Sequence, residues 1–169
     1  MASRVTGFNE MVSRLNSYSN EVQEDVKFIV YDNLRKIEVQ ASLGAPDGGD
    51  RIDVQGGSIR QDQISDKRRG NNVPINQAIG VEMESSGYKG SVYVERSAGD
   101  IAAYVEFGTG QSAAAYLATV PAEWRAEARK FFVNGQGRIL AKPFMLPAFN
   151  KYSLAFKKEL KQVFKRVRL

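Results

Sequence analysis

The most regular feature of this 169-residue chain lies at its end. From Phe149, the apolar residues Tyr152, Phe156, Leu160, Val163 and Val167 follow at spacings of three, four, four, three and four. That spacing puts side chains on one stripe of an α-helix and nowhere else. A helix over 147–169, beginning near Pro147, therefore needs an apolar surface to cover. A second such pattern stands at the other end. Phe8, Met11, Leu15, Tyr18, Val22, Val26, Ile29 and Ile37 predict a helix over 7–42. The cluster NSYSN (16–20) interrupts it with residues that compete for backbone bonds, and Asn20 with Gln23 is a candidate cap for a restarted helix. Gly44 offers a left-handed cap and Pro46 forbids continuation.

Between the two helices the period changes. Residues 58–64 suit a strand, with Ile59 facing one way, and 65–72 read as a polar loop. Ile79, Val81 and Met83, then Val92 and Val94, alternate with polar neighbours on either side of Gly87 and Gly90, which predicts a β-hairpin. A short helix is expected over 98–108, with Asp100 near its start and Gly108 after its end. Residues 111–120 are rich in small side chains, 121–132 suit a helix with Pro121 at its first position, 133–140 carry the turn chemistry of a second hairpin, and 141–149 read as extended. The fold class expected is α+β: one domain, with a small, mainly antiparallel sheet packed against helices from both ends of the chain.

Composition removes several kinds of chemistry. The chain has no cysteine and no histidine, so disulfides, thiol chemistry and any nucleophile paired with histidine are excluded. No apolar run approaches a membrane span, and MASRVTGFNEM lacks the apolar core of a signal peptide, so a soluble protein made without export is expected. The formal charge of +5 is local. Lys151 to Leu169 hold seven of the 24 Lys and Arg but one of the 19 Asp and Glu. Cations at a helix C-terminus suit the helix dipole, and a solvated face of a docked helix is the simplest account of them. A nucleic-acid-binding module is the rival from a different class, since generic phosphate contact needs only charge.

AYVEFGTG (103–110) contains the most suggestive local chemistry. Glu106, set among apolar neighbours, is a candidate acid if buried, but the sequence offers no second carboxylate beside it; Asp100 would have to approach in space. GTGQS lacks the spacing of a Walker or Rossmann phosphate loop, so Gly108 and Gly110 read as turn residues. DGGDRID (47–53) lacks the twelve-residue calcium pattern and its closing Glu. Trp124, Phe131, Phe132 and Met145 read as core. The residues predict no catalytic centre, no metal and no cofactor.

Three segments in order, APDGGDRIDVQGGSI (45–59), AAYVEFGTG (102–110) and AKPFMLPAF (141–149), carry a resemblance. With the amphipathic C-terminal helix they resemble the HK97 gp10-like family of tailed-phage tail-completion (neck, head–tail joining) proteins. Tyr104, Glu106, Phe107, Gly108 and Thr109 match the middle motif, with Val105 where some members carry Ala. Pro143, Phe144, Met145, Pro147 and Ala148 match the last. Ala45 and Pro46 begin the first, which here has no Thr. The resemblance implies a structural, non-enzymatic virion protein, assembled in the host cytoplasm as a six-fold ring. The ring would join the tail tube or its terminator to the head connector and touch DNA in transit; a tail terminator or connector subunit is the nearest alternative. Three expectations follow from it. Loops 65–73 and 110–120 order on assembly. The basic residues Lys157, Lys158, Lys161, Lys165, Arg166 and Arg168 face the channel or an acidic partner. Residues 106–109 form an architectural corner, which Gly108→Val damages and Glu106→Gln leaves intact.

Overall fold

The computed structural model describes residues 18–47, 51–54, 56–60, 73–129, 137 and 139–167. The fold is α+β, as the periodicities predict. Along the chain come α1 (Asn20–Gly44), a hairpin of β1 (Arg51–Val54) and β2 (Gly57–Arg60), a 3-10 turn at Ile75–Gln77, and a hairpin of β3 (Ile79–Met83) and β4 (Gly90–Val94). Four helices follow: α2 (Gly99–Phe107), α3 (Gly110–Leu117), α4 (Ala122–Ala128) and α5 (Met145–Val167). Both hairpins are antiparallel, each a sheet of its own, with Ile52 opposite Ile59 in one and Val81 opposite Val92 in the other.

The two long helices lie antiparallel. Tyr18 stacks near Phe164, Asn33 donates to Glu159, Lys151 donates to Gln40, and Gly44 abuts Phe144. Numbers rising on α1 meet numbers falling on α5. The buried stripe of α1 is Val22, Val26, Val30, Asn33, Ile37 and Ala41. Asn33 is the polar member of that stripe. Its amide donates to the Ile29 carbonyl at 3.0 Å and to Glu159 Oε2 at 2.7 Å, so its buried N–H groups are answered. Glu159 also pairs with Lys36 at 3.6 Å, so the single acid of the basic tail is turned inward to α1.

The described residues form two apolar clusters. The larger gathers Ile37, Ala41 and Ala45 of α1 and its end with Ile52, Ile75, Ile79, Ala102, Val105, Ile139, Phe144 and Ala148. The smaller joins Val22 and Val26 to Val163 and to Tyr88 at the hairpin tip, whose hydroxyl donates to Gln23. The β3–β4 hairpin thus lies along α1, on which it depends for a buried face.

Several local expectations change. Ser19, not Asn20, precedes the first helical residue of α1, and the Gln23 amide reaches back to the Tyr18 carbonyl at 3.0 Å. Gly44 does not take a left-handed cap; Ala45 follows in an extended conformation, its N–H bonded to Ala41 O, and buried Pro46 stops the helix. Residues 110–120, expected to be a loop that orders on assembly, are helical from Gly110 to Leu117, because a run of Ala carries the highest helix propensity. The C-terminal helix begins at Met145, before Pro147, because proline is tolerated in a first turn whose N–H groups have no intrahelical partner. Its buried stripe starts at Leu146 and Ala148, while Phe149 is 46% exposed and leans on Trp124 at 6.4 Å. The Phe8, Met11 and Leu15 stripe, most of the 65–73 loop, Phe131, Phe132 and most of the expected second hairpin lie outside the described residues. Within that last segment Ile139 forms an antiparallel bridge with Val54 of β1.

Gly90 is the tightest point of the β3–β4 hairpin: a Cβ there would stand 2.5 Å from Leu34 Cδ1 and 2.6 Å from the Glu82 carbonyl oxygen. Backbone cannot yield as a flexible side-chain tip can, so Gly90→Ala is expected to destabilise the fold by about 1–3 kcal/mol. Urea unfolding measures this; an unchanged midpoint would show that the hairpin does not hold α1 at this distance.

Candidate functional site

The site begins with an accounting problem. The first N–H groups of any α-helix have no partner inside the helix. At the start of α5 the sequence is Pro143-Phe144-Met145-Leu146-Pro147. The two prolines have no N–H, so three donors remain to be satisfied. All three point at one side chain. Glu106 Oε2 accepts from Phe144 N at 2.7 Å and from Met145 N at 2.9 Å, and Oε1 accepts from Leu146 N at 3.0 Å. Glu106 is 3% exposed and comes from the last turn of α2. Its carboxylate thus caps a helix that starts 39 residues later in the chain. Burial raises the Glu106 pKa above the ordinary carboxylate value, and the three N–H donors, which favour the ionised form, hold that rise in check.

The next residues close the corner. Gly108 has φ +71, and a Cβ there would lie 2.8 Å from Ala141 N and 2.9 Å from Ser112 Oγ. Only glycine suits both the backbone angle and the space. Thr109 N donates to the Ile139 carbonyl at 2.9 Å, and Ile139 N donates to Thr109 Oγ1 at 3.0 Å. Ala141 N donates to Ser112 Oγ at 2.9 Å, and Lys142 N to the Val105 carbonyl at 2.8 Å. The irregular strand 139–144 is therefore bound to the α2–α3 corner through the backbone groups of residues 139, 141, 142 and 144, two of these bonds going to backbone and three to side chains. Residues 106–109 stand at this corner.

An aromatic row flanks the clasp. Phe107 lies 6.3 Å from Tyr116 of α3 and 6.3 Å from Trp124 of α4, which reaches Phe149 of α5 at 6.4 Å. The Tyr116 hydroxyl is buried without a hydrogen-bond partner among the described residues, and burial together with the nearby Glu106 charge pushes its pKa up to about 12.

The residues singled out from sequence divide into two sets. Glu106, Phe107, Gly108, Thr109, Phe144 and Ala148 are buried and Tyr104, Pro143 and Met145 half-buried, while Pro147 is exposed. Ala45 and Pro46 are buried at the end of α1, beside Gly44, where an added Cβ would lie 3.3 Å from Phe144 Cβ. The first, middle and last segments thus meet at one joint. Lys157, Lys158, Lys161, Lys165 and Arg166 are exposed on α5, far along the helix from it, and Arg168 lies outside the described residues. Asn33, Ser112 and Tyr116 were not legible as participants; the prolines on either side of Phe144, Met145 and Leu146 were the one available signal for a cap from elsewhere in the chain. Among the described residues no three or more Asp, Glu, His or Cys gather as a metal site, and no helix is long and apolar enough to cross a membrane.

Compared with protein-family models, curated proteins and solved structures, the chain matches none.

At position 106 a glutamine keeps one acceptor oxygen but turns an NH2 group toward backbone donors. The expectation that Glu106→Gln leaves the fold intact therefore gives way to a graded loss. Glu106→Ala, which strands three N–H groups, is expected to cost about 3–5 kcal/mol, with Glu106→Gln between it and the parent. Tyr116→Phe removes an unpartnered buried hydroxyl and should be neutral or stabilising by up to about 1–2 kcal/mol. Urea unfolding of the three variants gives both results; an alanine variant as stable as the parent would exclude the cap.

Proposed function

We propose that the protein is a structural subunit of a tailed-phage neck: a tail-completion protein that forms a ring, six-fold by analogy with the family it resembles, between the tail and the head connector. In this reading its partners are its own copies, the connector, and the tail tube or its terminator, and it is a virion component with no catalytic role. The observation that carries the proposal is the joint itself. The residues on which the resemblance rests, within Ala45-Pro46, Glu106–Thr109 and Pro143–Ala148, stand where α1, α2 and α5 are fastened to one another. Such a set would be kept by proteins that share an architecture and not a reaction.

The outer surfaces also suit ring contacts. The β3–β4 sheet has two strands, so each leaves an outer edge with no strand beside it among the described residues. Such edges accept pairing from another chain. The outward side of α1 carries Phe28, Val39 and Leu43, which are 67%, 54% and 78% exposed. A ring needs one face of a subunit to meet a different face of its neighbour, and these surfaces differ in kind.

Electron microscopy of particles produced without the protein tests the proposal. Full heads and finished tails left unjoined are the expected result. Abnormally long tails would make the protein a terminator, and normal joined particles would refute a neck role altogether.

A further inference from the structure

The outward face of α5 carries a row of ammonium groups. Lys151, Leu154, Lys158, Lys161 and Lys165 succeed one another at spacings of three, four, three and four, which keeps them on one face. All four lysines are exposed, and the row runs for about 21 Å at the rise of an α-helix. The opposite side of the same helix, with Phe156, Leu160 and Val163, turns inward, so the row faces away from the described core.

Among the described residues the charge on this face is not neutralised. Glu159, the single acid of α5, is committed to Asn33 and Lys36 on α1. Lys151 donates to Gln40 at 2.6 Å and lies over the Tyr152 ring, which fixes the start of the row. Lys158, Lys161 and Lys165 have no ion-pair or hydrogen-bond partner among the described residues. The other basic residues are separated from them. Arg166 lines the shallow groove between α1 and α5 together with Asp25, Asp32 and Glu159, and Lys157 sits at the flank of the row.

We infer that this face binds the phosphate backbone of duplex DNA without reading its sequence. Charge complementarity selects a polyanion, and three features select the duplex. Lysine is depleted from the cores of protein–protein interfaces but supplies backbone contacts to nucleic acids. The row contains no aromatic ring on which unpaired bases could stack, as single-strand binders need. One leucine, Leu154, gives too little apolar surface for a membrane interface. Four ammonium groups spread along about 21 Å run beside about six phosphates of a strand that carries one per 3.4 Å, so a phosphate is available to each lysine without any repeat in common. The inference rests on the face of α5 and not on the neck reading, which particles lacking the protein test separately.

Anisotropy of a short labelled duplex titrated with the full-length protein at several salt concentrations tests it. Four phosphate contacts predict that affinity falls about 10²-fold between about 50 and 200 mM salt, whatever the DNA sequence. Combined Lys158→Gln, Lys161→Gln and Lys165→Gln should reduce the log–log salt slope by about three. A control with the same loss of charge elsewhere, Lys89→Gln, Arg96→Gln and Lys142→Gln, should keep the parent slope; far-UV circular dichroism checks that both remain folded. Four results would each overturn the inference: no binding at low salt, equal losses in the two triple variants, tighter binding to single-stranded DNA, or competition by polyglutamate as effective as by unlabelled duplex.

Discussion

One buried carboxylate fixes the relation between the two halves of this molecule. Removing Glu106 from water costs several kcal/mol in its ionised form, so its position needs compensation. The compensation is three backbone donors at 2.7, 2.9 and 3.0 Å, arranged at the positive end of the α5 dipole. Neither side is satisfied alone. Without α5 the carboxylate is stranded in an apolar setting; without Glu106 the start of α5 is a buried helix end with open N–H groups. The pair acts less as a source of net stability than as a device of registry, because hydrogen bonds of this length tolerate little displacement.

Other contacts inherit that registry. With the first turn of α5 fixed, Phe144 meets Gly44 at one end of α1, and antiparallel packing carries the contact through Gln40 and Lys151, then Asn33 and Glu159, to Tyr18 and Phe164 at the other. The corner at Gly108–Thr109 holds the incoming strand from the other side through the Thr109–Ile139 pair. Ile139 in turn bridges to Val54, so the β1–β2 hairpin is tied to the same joint.

The fold was largely legible because its long helices are amphipathic. Val22, Val26, Ile37 and Val163 are buried where their periodicity places them, and the β3–β4 hairpin matches its alternation. What periodicity could not convey was long-range polar pairing. Glu106 sits in sequence among apolar residues, and its partners are backbone groups 38 to 40 positions away, which carry no side-chain signature. Asn33 was invisible for the same reason: its acceptor lies on the opposite helix, 126 residues later. Local chemistry also misled at residues 110–117, where small side chains suggested a loop although alanine favours a helix. Phe149 fits the stripe by spacing but stays 46% exposed, with the Trp124 ring beside it in place of a buried core.

The division of charge on α5 completes the picture. A helix with one acid and many cations would ordinarily use the acid to offset neighbouring lysines through pairs at i, i+4. Here Glu159 faces α1, where Asn33 needs an acceptor and Lys36 a counter-ion. Ala155, Phe156, Gln162 and Val163 stand three and four residues from Glu159, so no lysine of α5 is placed to pair with it. The outward lysines therefore have no acid on their own helix to offset them, whichever way Glu159 turns. The packing of the subunit and the character of its outer surface are still not independent: the position that gives Glu159 to α1 is one from which it cannot offset the lysines.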